Sequence, residues 1–331
     1  MSEHQYYEFQ AIDRPLDAAA QRALRQLSSR ATITDRSFVN EYQWGDFRGD
    51  PRQLMEKWFD LFIYWANWGT RTVMLRAPRR YLDPKALAAY AIDDTVDLWK
   101  AGDFTLVCFN RPNEEPIDGF LPKNLRNPLT ALRNEVLQGD RRVFYLGWLV
   151  GVMEGTVKED AFEPPCPPGL MKLPASLKAF AKFFDLDEDL IAAAAEGDAP
   201  PQSAKQPQRT AGQLATAAQA QAEQREQREA KRAAAGHARR ERQAQRDLEA
   251  RLDSLKPRVE AAWLEADVLA QTKRSKEYDL ALELLKDLAH LADREGERAA
   301  FDRRLYAFRE RHRGKAFLAR LDAAGLVVKP T

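Results

Sequence analysis

Asp46, Arg48 and Asp50 occupy alternate positions in the stretch WGDFRGDP (44–51). Two carboxylates flanking a guanidinium at a strand end are the kind of polar cluster that α/β folds place in functional loops. The same residues also read as a turn. Asp50 before Pro51 is a helix N-cap followed by a favoured first helical residue. Gly45 and Gly49 allow turn conformations, and Trp44 and Phe47 supply packing. The cap-and-proline pattern favours the turn. If Trp44, Phe47 and Arg48 point outward, the loop suits a protein interface, where Trp and Arg are common anchors.

Other acids invite the same comparison. Asp93, Asp94 and Asp97 have the spacing of an acid–base pair, but no partner motif accompanies them, and they read as solvated residues at a hairpin start. Asp185, Asp187, Asp189 and Glu196 match the ligand spacing of a calcium loop. Leu190 stands where that loop needs glycine, and acids at a helix start already satisfy the helix dipole. Of the histidines, His4 is terminal, His237 and His312 lie in the charged tail, and His290 lies there beside an apolar helical face. Cys108 sits in a strand-like run, and Cys166 sits between prolines without a His or Lys neighbour to lower its pKa. HExxH, GxSxG, Walker A and GxGxxG patterns are absent from the sequence. The chain therefore implies no catalytic set, no metal ligands and no cofactor.

Charge gives a different lead. The net charge is +1, yet residues 202–331 hold 27 Lys+Arg against 20 Asp+Glu, leaving 24 against 30 for residues 1–201. Lys231, Arg232, Arg239, Arg240, Arg242 and Arg246 could contact phosphates. Glu229, Glu241 and Asp247 are interspersed among them, and no aromatic residue offers base stacking. A solvated or protein-docking helix face is the preferred reading, and nucleic-acid association through Arg239, Arg240 and Arg242 is the alternative.

The elements that would position these residues follow from periodicity. YYEFQAI (6–12), SFVNEYQW (37–44), TRTVMLRAP (70–78), TVDLW (95–99) and FTLVCFN (104–110) read as strands. Residues 16–28 and 51–68 read as helices, the second deeply buried, with Gly69 as its C-cap. Residues 111–127 read as loop. Helices are expected over 128–138 and 140–155, with a strand as the alternative for VFYLGWLV, and again over 174–196. The apolar runs 58–68 and 143–153 are shorter than the about 20 residues a membrane span needs. Two cysteines and a polar N-terminus suit a soluble cytoplasmic protein.

The resulting expectation is an α+β head (1–197) with a mixed sheet of about five strands flanked by helices. A flexible linker (198–213), a long charged helix (214–255) and a helical module (256–331) follow. The long helix shows no strict heptad seam, so a solvated helix is preferred to a coiled coil. In the module, Tyr278, Ala281, Leu284, Leu285 and Leu288 have the spacing of one tetratricopeptide-like helix.

The strings YYEFQAIDRPL, SSRATIT, YQWGDFRGDP, YLGWL and PPCPPGL…LIAAAAE resemble an uncharacterised bacterial family over roughly residues 1–196. The tail YDLALELLKDLAHLADREG…FDRRLYAFRERHRGKAFLARLDAAGL is similar to the helical C-termini of bacterial SWIM zinc-finger proteins. The Cys-x-Cys…Cys-x-His set of those proteins is missing, so the resemblance implies neither zinc nor ligands, and it carries no activity.

On these grounds the leading expectation is a non-catalytic interaction or adaptor protein of no specified oligomeric state. It would bind a protein partner and no membrane, with Trp44, Phe47, Arg48, Tyr306 and Arg309 as anchors. Nucleic-acid association is second. An enzyme with acids such as Asp46 or Asp93 in a head pocket is third.

Overall fold

The computed structural model describes residues 4–112, 120–196 and 208–328. They form two compact units, residues 1–227 and 228–331. Among the described residues the first unit holds one sheet of seven strands. These are β1 (Gln5–Gln10), β2 (Thr32–Ile33), β3 (Ser37–Tyr42), β4 (Leu61–Ala66), β5 (Arg71–Pro78), β6 (Val96–Ala101) and β7 (Phe104–Arg111). Their order is β2-β3-β1-β4-β5-β7-β6. Every neighbouring pair is antiparallel, so the expected mixed sheet of about five strands is corrected on both counts.

The missed strands have physical reasons. β2 is only two residues long and pairs Thr32 with Val39. β4 lies inside the segment expected to be one helix, 51–68. Helix α2 (Pro51–Lys57) ends at Trp58, and the apolar run after it is extended. Leu61, Ile63 and Trp65 pack on one sheet face, and Phe62 and Tyr64 on the other. A strand covered on both faces is apolar throughout and loses the alternation that marks a half-exposed strand. Gly69 serves the β4–β5 turn at φ +104 and caps no helix.

One face of the sheet packs on α1 (Ala18–Leu27) and α2. The core there is Phe9, Phe38, Leu24, Met55, Phe59 and Phe62. The other face is covered by α4 (Lys123–Thr130), α5 (Leu132–Leu137), α6 (Arg142–Met153), α7 (Ala175–Phe183) and α8 (Glu188–Glu196), with the short α3 (Pro84–Leu87) at the β6 side. The run VFYLGWLV is helical. Val143 through Gly151 are all buried, because α6 is enclosed by the sheet on one side and by α7 and α8 on the others. Gly147 permits the close approach to the sheet: a Cβ there would lie 2.5 Å from Phe109 Cδ1 and 3.1 Å from Val96 Cγ2.

Ionic groups are buried at one end of this sheet. The Asp60 carboxylate is fully enclosed. Its Oδ2 accepts from the backbone N–H of Ile12 (2.7 Å) and Asp13 (2.9 Å), and its Oδ1 accepts from Arg76 Nη2 (2.9 Å). Arg133 of α5, 2% exposed, donates to the Arg76 carbonyl (2.7 Å) and forks onto Asp13 at 2.8 and 2.5 Å.

At the β7 end, Arg71 and Arg111 donate to the carbonyls of Phe183 (2.5 Å) and Phe184 (3.2 Å). Cations there offset the negative end of the α7 dipole.

Residues 208–213, expected to be linker, are anchored. Arg209 forks onto Glu163 at 2.6 and 2.9 Å and donates to the Ala193 carbonyl at 2.9 Å. Thr210 and Gln213 form a reciprocal capping box, at 3.0 and 3.3 Å, that starts helix α9 (Ala211–Leu255) three residues earlier than expected. Residues 198–207 of the expected linker lie outside the described residues.

The second unit takes most of α9, then α10 (Val259–Gln271), α11 (Ser275–Glu295), α12 (Arg298–Arg311) and α13 (Lys315–Ala323). Trp263, Leu285, Phe301, Leu305, Phe308, Phe317 and Leu321 form its core. Gly296 and Gly325, both at φ +74, follow the ends of α11 and α13.

Two outcomes are expected from equilibrium urea unfolding. Asp60→Ala leaves Arg76 and two backbone donors without their buried acceptor and lowers stability by about 3–5 kcal/mol; a loss under about 1 kcal/mol would show that the junction is dispensable. Gly147→Ala gains about 1 kcal/mol of helix propensity but overpacks Phe109 at a cost of about 1–3 kcal/mol. A net loss is expected, and a raised unfolding midpoint would show that the sheet yields.

Candidate functional site

The loop WGDFRGDP is built as a turn. Asp50 Oδ1 accepts from the N–H of Arg52 (2.8 Å) and Gln53 (3.4 Å), capping α2 with Pro51 in the first turn. Phe47 folds back into the core, 5.2 Å from the Tyr7 ring and 5.6 Å from Phe38. Its ring lies against Gly49, where a Cβ would come within 2.6 Å. Asp46 accepts from Gln5 Nε2 at 3.2 Å. Trp44 and Arg48 remain at the surface, with Trp44 70% exposed. The sequence-predicted cluster thus divides: Asp46, Phe47 and Asp50 hold the turn, while Trp44 and Arg48 face solvent.

Behind this loop, Tyr7 and Tyr64 both donate to Gln5 Oε1, at 2.7 and 3.0 Å. Burial pushes both phenols up, Tyr64 to about 12 and Tyr7 further, so both stay protonated donors. Gln5, which relays the tyrosines to Asp46, carries no sequence signal beyond its place on a strand.

Asp93, Asp94 and Asp97 do share a concavity, of about 500 Å³, with Thr95, Cys108 and Asn110. Of the three carboxylates, that of Asp97 is ion-paired. Asp97 pairs with Arg52 at 2.8 Å, Arg52 stacks on Trp99 at 3.9 Å, and Trp99 Nε1 donates to Glu56 at 2.8 Å. Asp94 takes φ +64 in the turn, and its carbonyl accepts from Asn110. Burial, with the Asp97 charge adding, raises the Cys108 thiol to about 12.

The calcium-like spacing at 185–196 dissolves in three dimensions. Asp185, at φ +48 after α7, binds Arg71 at 2.6 Å. Asp187 accepts from the Asp189 N–H at 2.8 Å, and Asp189 binds Arg225 at 2.7 Å. Among the described residues no group of three or more His, Cys, Asp or Glu could hold a metal ion.

Of the tail candidates, Arg309 is held internally by Asp322 (2.6 Å) and the Leu326 carbonyl (2.9 Å). Tyr306 is 40% exposed. His290 is exposed, off the apolar face, whereas His312 stacks on Phe308 and meets Asp267 at 2.8 Å.

Arg239, Arg240 and Arg242 lie on α9, where nearly every residue from 223 to 247 is exposed. An α-helix of 45 residues is about 67 Å long. Its middle contains no apolar side chain larger than alanine from Ala215 to Asp247. It therefore buries no core of its own and presents charge on all sides.

No family model matches this chain, no curated protein matches it in sequence, and no solved structure matches it in fold.

A thiol at about 12 is scarcely ionised at neutral pH. Cys108 is expected to react with iodoacetamide at pH 8 about a thousandfold more slowly than an ordinary thiol of pKa about 8.5, followed by mass spectrometry of the labelled peptide. Labelling at the ordinary rate would restore a reactive role for the concavity.

Proposed function

We propose that this chain is a non-catalytic interaction protein whose main contact surface is the exposed middle of α9. The observation that carries this reading is the bare stretch 223–247. Each unit has its own apolar core, so neither needs that stretch for burial. Trp44 and Arg48 in the head and Tyr306 in the bundle are secondary contact candidates. The helical bundle fits a tetratricopeptide-like hairpin used as a docking module, and a cytoplasmic setting suits it. No described helix is long and apolar enough to cross a membrane.

Nucleic-acid association is the second reading, favoured by the exposed arginines of α9. The enzyme reading, on Asp46 or Asp93, draws least support: Asp46 accepts from Gln5 in the turn, and the concavity that holds Asp93 brings it together with no His, Lys or Arg among the described residues.

The test is photo-crosslinking in cells of the source organism. A photoreactive residue replaces Ala235, Trp44 or Tyr306 in the full chain, one at a time. A discrete macromolecular adduct at Ala235 is expected. If none of the three positions yields an adduct, the interaction reading fails.

A further inference from the structure

The charges of α9 are sorted around the helix, not mixed. At 3.6 residues per turn each residue advances the direction by about 100°. Arg228, Lys231, Arg232, Arg239, Arg242 and Arg246 then share a sector of about 100°. Glu223, Glu226, Glu229, Glu241 and Asp247 lie within about 120° on the opposite side. Arg240 falls among the acids, and its neighbour Glu241 meets His237 at 3.4 Å. The acids that interrupt the basic run in sequence therefore do not interrupt it on the helix.

All six stripe residues are exposed. None has a carboxylate partner among the described residues. Several other arginines of the same unit are neutralised: Arg294 binds Glu249 and Asp253, Arg298 binds Asp293 and Asp302, Arg304 binds Glu260, and Arg320 binds Asp279. The stripe gathers six such unpaired cations on one side of one helix.

We propose that this stripe docks duplex DNA through its phosphates; the proposal rests on reading α9 as a contact surface. The stripe runs for about 27 Å, comparable to one DNA turn of about 34 Å. An α-helix of about 10–12 Å diameter matches a major groove about 12 Å wide. Five of the six cations are arginines, whose planar forks suit phosphate oxygens.

Competing occupants fit less well. A protein helix would need apolar anchors to bury, and this stretch offers only alanine. An anionic membrane surface would need an apolar face opposite the cations, and acids stand there instead. Single strands would need aromatic stacking platforms, which α9 lacks. The deep, narrow major groove of A-form RNA excludes a helix. What remains is an electrostatic contact, driven by counterion release from a densely charged duplex.

The test is fluorescence anisotropy of the full chain with a mixed-sequence 20-base-pair DNA duplex, from 50 to 200 mM salt. Six phosphate contacts give a slope of log affinity against log salt of about −5. R232Q/R239Q/R242Q is expected to bring the slope to about −3 and to weaken binding at least about tenfold. The charge-matched control R240Q/K273Q/K276Q keeps the native slope to within about 1. Gln is nearly as good a helix former as Arg, so both variants keep α9, checked by circular dichroism. Equal losses in both variants would reduce the effect to net charge and overturn the stripe. Absence of DNA binding at 50 mM salt, or tighter binding to polyglutamate than to the duplex, would also overturn it. In that event a protein adduct at the Ala235 crosslinking position would leave the interaction reading standing, and no adduct at Ala235, Trp44 or Tyr306 would remove both.

Discussion

The head depends on one buried carboxylate. Asp60 sits at the junction of α2 and β4, where its backbone extends the ladder to β1 through Gln10 and to β5 through Arg76. Its side chain accepts the N–H groups of Ile12 and Asp13, which leave β1 and have no strand partner there. Arg76 neutralises it from β5, and Arg133 bridges from α5 to Asp13 and to the Arg76 carbonyl. An enclosed charge is costly unless it is paired and hydrogen-bonded, so this geometry tolerates little rearrangement. One side chain thus ties the central strands to helices on both faces of the sheet.

The rest of the head repeats this use of arginine. Arg71 and Arg111 close the C-terminal end of α7, and Arg209 closes the start of α9 onto Glu163 and Ala193. Each takes carbonyls that a helix or loop end would otherwise leave unmet. Along the middle of α9 the use reverses. Between Arg228 and Arg246 the arginines face water with no carboxylate partner among the described residues, whereas Arg225 and Arg251 of the same helix pair with Asp189 and Asp287. The two populations are indistinguishable by composition, since both are arginines among acids.

Much of the architecture was legible in the sequence. The strands around 6–12, 37–44, 70–78 and 104–110 fall close to where the residue pattern places them, because their aromatic and β-branched runs are bounded by turn formers such as Asp13, Gly45 and Pro78. β4 looked helical because its two covered faces remove the alternation and its apolar run follows directly on the helix that starts at the Asp50 cap. The capping box at Thr210 and Gln213 was written in the chain but masked by the proline- and glutamine-rich residues before it. The site candidates divided in the same way: the cap at Asp50 follows from local rules, whereas the inward turn of Phe47 follows from the ring cluster it joins.

By itself the sequence determined the α+β composition, the helix-forming character of 211–255 and the absence of a recognisable catalytic motif, because these depend on local propensity and spacing. Tertiary structure alone decided which charges are spent and which are free. Asp97 and Arg309 read as surface candidates until Arg52 and Asp322 were found opposite them. The mixed charges of α9 became two opposed faces only once a continuous helix set their directions. The reason is geometric: ionic pairing is decided by distance in space, which residue order along the chain does not encode.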